Sequence, residues 1–79
     1  MTNYIATFFS HFGATRFKKQ WEEQGYAAKA TPVPRSLSSS CGTCVIYEAD
    51  KPLPDGAKMS EIDGVYVINN DETYTKVDL

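Results

Sequence analysis

The chain has two cysteines, one histidine and one tryptophan, and these scarcities each remove a class of protein. Small domains from oxidising compartments are commonly stapled by four, six or eight cysteines, so a disulfide framework is excluded. A Cys41–Cys44 bridge would close a very short loop, for which the gain in chain entropy is smallest. A structural zinc site wants four ligands, and one cysteine pair with a distant His11 does not supply them within a single chain; only a dimer could bring two pairs together. No apolar run approaches the roughly 20 residues that cross a bilayer. Met1-Thr2-Asn3-Tyr4 lacks the basic opening and long apolar stretch of a secretion signal, so the expected compartment is the cytoplasm. No paired carboxylates flank an evident pocket, which leaves conventional acid–base catalysis without a basis. With a net charge of −2 and no basic stripe interleaved with aromatics, nucleic-acid binding is not expected either.

What remains is a chain of 79 residues, read as one domain over 1–79. A chain of this size buries only about 60% of the surface that its unfolded form exposes, so its stability is marginal. The charge is unevenly spread. Through Ser36, five cations (Arg16, Lys18, Lys19, Lys29, Arg35) face only Glu22 and Glu23, a balance of +3, and the remainder carries −5. Such a split reads as a solvated surface or as a basic patch that attracts an acidic partner.

Tyr4–Phe9 reads as a short strand, apolar on both faces apart from Thr7, and therefore mid-sheet. Ser10 is placed as an N-cap, and the period turns helical from His11 to Gln24, with Ala14, Phe17 and Trp21 on one face. Gly25 stands where a helix-ending glycine belongs. Phe8, Phe9, Phe12, Phe17 and Trp21 are expected to form the core. A second strand is expected over Tyr26–Val33, confined to an edge by Pro32 and Pro34. A loop follows, then a third strand at Cys44–Glu48, a Pro/Gly connector at Lys51–Gly56, a helical stub at Lys58–Asp63 and a hairpin about Asn69-Asn70-Asp71. The order β-α-β-β-(short α)-β-β predicts a two-layer α+β sandwich. A right-handed crossover would make the first and second strands parallel, so that both end at the edge where the helix begins.

That edge gathers the chemistry. His11, Arg35, Cys41 and Cys44 are expected at one end, with Ser38, Ser39 and Ser40 supplying hydroxyls and amides around a negative sulfur. Gly42 lets the chain turn closely past Cys41. Each feature also has a plain reading: Cys44 as a small core residue, His11 as a surface or capping residue, Arg35 as half of a salt bridge.

The stretches "ATFFSHFGATRFKK" and "TPVPRSLSSSCGTCV" resemble small bacterial domains described as selenium/sulfur carrier-like. The resemblance runs over Tyr4–Tyr47 and is most specific from Pro34-Arg35 to Gly42. It implies a ferredoxin-like α+β sandwich, here with a truncated second helix and a C-terminal hairpin, and the handling of sulfur or selenium on a cysteine. By this matching Cys41 is the carrier residue, with Pro34, Arg35, Ser39, Ser40 and Gly42 as its setting. The expected function is a sulfur or selenium carrier without turnover of its own, in which Cys41 takes sulfur as a persulfide and Cys44 resolves it. A sulfur or selenium donor protein and an acceptor protein would be its partners, and no cofactor, metal or membrane is called for. An uncovered sheet face would favour a homodimer or docking. The competing readings are a dithiol redox module or sensor using the same C-x-x-C, and an interaction domain with incidental cysteines.

Overall fold

The computed structural model describes residues 1–37 and 41–79. Along the chain run β1 (Thr2–Phe8), α1 (His11–Glu23), β2 (Ala28–Pro32), β3 (Thr43–Ala49), a 3-10 turn (Met59–Glu61), β4 (Ile62–Ile68) and β5 (Tyr74–Lys76). The strands form one sheet in the order β2-β3-β1-β4-β5, with every neighbouring pair antiparallel. β1 and β2 are each antiparallel to β3, which lies between them, so β1 and β2 run parallel and end at the same edge. The outcome is a two-layer α+β arrangement of one helix on a five-stranded antiparallel sheet. β5 carries the sheet past β4, and the second helix is reduced to a three-residue turn, so the sheet exceeds a four-stranded ferredoxin-like pattern.

β1 is central because it is apolar on both sides, and Tyr4 through Phe8 are all buried. Ser10 caps α1 with extended backbone, its Oγ accepting from Gly13 N–H at 3.2 Å, which satisfies one of the amides left free at a helix start. The helix buries Ala14, Phe17 and Trp21. It ends where Gly25 takes a φ of +88°, a conformation that costs glycine least. On the sheet, Phe17 meets Phe8 edge-on at 5.0 Å, and Trp21 stacks on Tyr47 at 5.0 Å. Offset and edge-to-face aromatic pairs are worth about 0.5–1.5 kcal/mol each beyond their buried area.

Two of the expected core residues are not core. Phe9 is 53% exposed and Phe12 is 65% exposed. Phe9 follows the buried Phe8 just past the end of β1, where its N–H donates to Glu61 C=O at 3.2 Å. Phe12 lies two residues before the buried Ala14, and two residues along a helix turn a side chain by more than half a revolution.

The segment from Asp50 to Lys58 takes the place of a second helix. Gln24 donates from Nε2 to Asp55 C=O at 2.9 Å and accepts from Asp55 N–H at 3.0 Å, while Gln20 Nε2 donates to Gly56 C=O at 2.9 Å. Leu53 packs against the core, Pro54 is buried, and the Tyr47 hydroxyl donates to Pro52 C=O. This strap closes the helix-side layer.

The opposite sheet face is covered differently. Ile5, Thr7 and Cys44 are fully buried, yet they alternate away from the helix-side residues Tyr4, Ala6, Phe8 and Val45. Ser36 and Leu37, in the loop leaving β2 at one edge, share a concavity with Tyr66 and Tyr74 of β4 and β5 at the other. Ser36 and Leu37 therefore lie on this side of the sheet. Tyr66 adds cover by lying over Gly64, where a Cβ would stand 3.0 Å from the Tyr66 hydroxyl.

Candidate functional site

The cysteine loop is drawn shut at its base, where Val33 N–H donates to Gly42 C=O at 3.1 Å. Gly42 holds a φ of +74°, which side-chain-bearing residues adopt only under strain, and the chain turns there straight into β3. Within the loop, Leu37 N–H donates to Pro34 C=O at 3.0 Å, closing a turn that carries Arg35.

The two cysteines occupy different environments although only two residues separate them. Cys41 is half-buried and packs against the helix-side core, with its thiol directed at Thr43 C=O at 3.5 Å. Cys44 is wholly buried and alternates to the other face, its thiol directed at the Thr31 and Pro32 carbonyls at 3.4 and 3.7 Å. Burial, and then the nearby Cys41, pushes the Cys44 thiol up to about 11. At neutral pH Cys44 is therefore a protonated thiol, and it is the thiolate that attacks. No disulfide joins the pair.

His11 reaches this site through Thr43. Its Nδ1 lies 2.9 Å from Thr43 Oγ1, one donating and the other accepting according to the tautomer. Thr43 thus holds the start of α1 with its hydroxyl and receives the Cys41 thiol on its carbonyl. Sequence reasoning missed Thr43. Its place inside the cysteine motif was visible, but its partners come from the first turn of a helix more than 30 positions away.

Of the expected setting, the fold brings together His11, Gly42, Cys41 and Cys44. Arg35 is exposed and joins no ion pair among the described residues. Ser38, Ser39 and Ser40 lie outside the described residues. Among the described residues, no group of three His, Cys, Asp or Glu could hold a metal ion, and no helix is long and apolar enough to cross a membrane.

A family model described as "Putative Se/S carrier protein-like" matches residues 3–53. The chain belongs to this family. The match takes in every residue of the candidate site, from His11 to Cys44, and ends within the strap at Leu53. The 3-10 turn, β4 and β5 lie beyond it. No curated protein and no solved structure matches the chain.

Proposed function

We propose that this chain is a cytoplasmic sulfur or selenium carrier that takes its cargo on Cys41 and hands it to an acceptor protein. For sulfur, the Cys41 thiolate attacks the outer sulfur of a donor persulfide. The new S–S bond forms as the donor's own S–S bond breaks, and the donor leaves as a thiolate. The acceptor repeats the attack on the outer sulfur, and Cys41 departs as a thiolate. Neither step changes the net oxidation state, so no cofactor is required.

The observation that carries this reading is the contrast between the two thiols. Cys41 is within reach of a partner and Cys44 is not. Cys44 is proposed as the second thiol, attacking Cys41 Sγ to release hydrosulfide and leave a Cys41–Cys44 disulfide. That attack requires the buried Cys44 to be uncovered and to lose its proton, so it is the slow branch. Arg35, Ser38, Ser39 and Ser40 are proposed as the polar surround of the loaded sulfur, and the frame is read as a ferredoxin-like sandwich extended by β5.

The test is mass spectrometry of protein purified without reductant and incubated with glutathione persulfide. Wild type and Cys44→Ser gain the mass of one sulfur, and Cys41→Ser gains none. A Cys41–Cys44 disulfide in wild type together with no added sulfur on Cys44→Ser would make the protein a dithiol redox module instead. Two unchanged thiols would leave an interaction domain with incidental cysteines.

A further inference from the structure

Cys41 enters β3 through a jointed stretch of chain. Gly42 follows it with a φ of +74°, and a Cβ there would meet nothing within 4 Å, so the turn is unpacked at that point. The Gly42 carbonyl accepts from Val33 N–H, which ties the turn toward β2. The tie toward α1 comes one residue later, at Thr43, which opens β3. Side chains alternate along a strand, so Thr43 lies on the helix side with Val45 and Tyr47, the side on which Cys41 also packs. There the Thr43 hydroxyl meets His11 Nδ1 at 2.9 Å, and the Thr43 carbonyl faces the Cys41 thiol at 3.5 Å.

His11 is the fixed partner in this link. Ser10 before it caps α1 by accepting from Gly13 N–H, and Phe9 N–H donates to Glu61 C=O. A Cβ on Gly13 would lie 3.1 Å from Glu61 Cβ, so the first turn of α1 packs closely on the 3-10 turn. The His11 ring thus hangs from a part of the fold that is secured on both sides, whereas Cys41 hangs from a glycine turn. A bond between an anchored group and a jointed one restrains the jointed one. The sulfur that attacks is a thiolate, which has no proton to donate. Cys41 therefore leaves the Thr43 carbonyl and turns out from the core before it reacts. That swing moves the segment that His11 holds.

We propose that His11 and Thr43 are positioning residues for Cys41, and that their hydrogen bond latches the thiol in its inward place and slows its reaction with small electrophiles. Thiol exchange depends on access as well as on the thiolate, so a carrier restrained in this way is shielded from oxidants and disulfides that are not its donor. The latch itself stands on the geometry around Thr43. Its use in guarding a sulfur carrier rests on the carrier reading of Cys41.

The test follows alkylation of the full chain by iodoacetamide, read at each cysteine by peptide mass spectrometry. His11→Ala and Thr43→Val, which cannot form the bond, are expected to speed alkylation of Cys41 roughly 2- to 10-fold, the change in a local opening equilibrium that one net hydrogen bond sets. The double variant is expected to be no faster than the faster single one, because both remove the same bond. His11→Asn and Thr43→Ser keep a hydrogen-bonding group at each place and are expected to stay near the wild-type rate. The buried Cys44 is the internal control and stays unlabelled throughout. Loading of Cys41 from glutathione persulfide is expected to rise by the same factor as alkylation. A Cys41 rate that is unchanged or lower in both single variants overturns the latch, as do independent effects that multiply in the double variant. Labelling of Cys44 alongside Cys41 also overturns it, since the loss is then a general loosening of the fold. The expected alkylation pattern in a protein that takes no sulfur from glutathione persulfide overturns the carrier reading and leaves the latch standing.

Discussion

The two faces of the sheet are both buried, but by different means. On the helix side, Tyr4, Phe8, Phe17, Trp21 and Tyr47 interlock through ring pairs 5.0 to 5.3 Å apart, with Trp21 also 6.1 Å from Phe17. Regular structure presses on regular structure there. On the other side, Ile5, Thr7 and Cys44 are buried, and Ser36 and Leu37 share a concavity with Tyr66 and Tyr74. Apolar area is what stabilises, and the helix side has far more of it. Local opening draws on segments with few buried apolar contacts, so the loop side opens first. Cys44 belongs to that side, whereas Cys41 packs against the helix-side core. A ring-packed layer holds the scaffold on one side, and Cys44 lies buried on the other.

The sharpest way to break this comparison is Trp21→Ala, which removes the largest ring from the helix-side layer. It is expected to cost about 3–5 kcal/mol, most of the stability of a chain this size. Equilibrium urea denaturation measures it, and an unchanged midpoint would mean that the aromatic layer is not the stabilising one.

The loop side is read by pH. The Cys44 thiol, raised by burial from 9.0 to about 11, keeps its proton in the folded state over a range where the unfolded chain has lost it. Its contribution is therefore whole below about pH 9 and is lost as pH rises toward 11, up to roughly 2–3 kcal/mol. Tyr47, also raised chiefly by burial, acts in the same direction from the helix side. Urea midpoints taken from neutral to alkaline pH are expected to fall, and Cys44→Ala to flatten part of that fall. An identical slope in Cys44→Ala would show that Cys44 is not shielded.

Gln24→Ala removes both bonds to the strap at Asp55 and is expected to cost about 1 kcal/mol. Thermal melts report it, and proteolysis is expected to cut first between Asp50 and Lys58. First cleavage in the cysteine loop would instead rank that loop as the looser cover even without the strap. The smallest effect belongs to Phe12→Ala. As an exposed residue with one cation–π contact it is worth less than about 1 kcal/mol. A loss of several kcal/mol would return Phe12 to the core.

Much of the fold was legible because it rests on local patterns. The capping Ser10, the Ala14-Phe17-Trp21 face and Gly25 set the limits of α1 to within a residue. The apolar run of β1 identified it as a buried strand. Phe9 and Phe12 were misread because hydrophobicity alone does not say which way a side chain points at a junction between elements. The site was half legible: the spacing of Cys41 and Cys44 and the strand at Cys44 were plain, and the opposite faces they take were not.

By itself, the sequence determined the α+β class, the helix, the succession of strands and the closeness of two thiols where a loop enters a strand. These follow from period, capping and backbone preference, which act over a few residues. Only the tertiary structure decided that Thr43 joins His11 to the site, that Cys44 is buried on the face opposite Cys41, and that Phe9 and Phe12 stay exposed. Each of those depends on segments far apart in the chain, brought together by the burial of a common core.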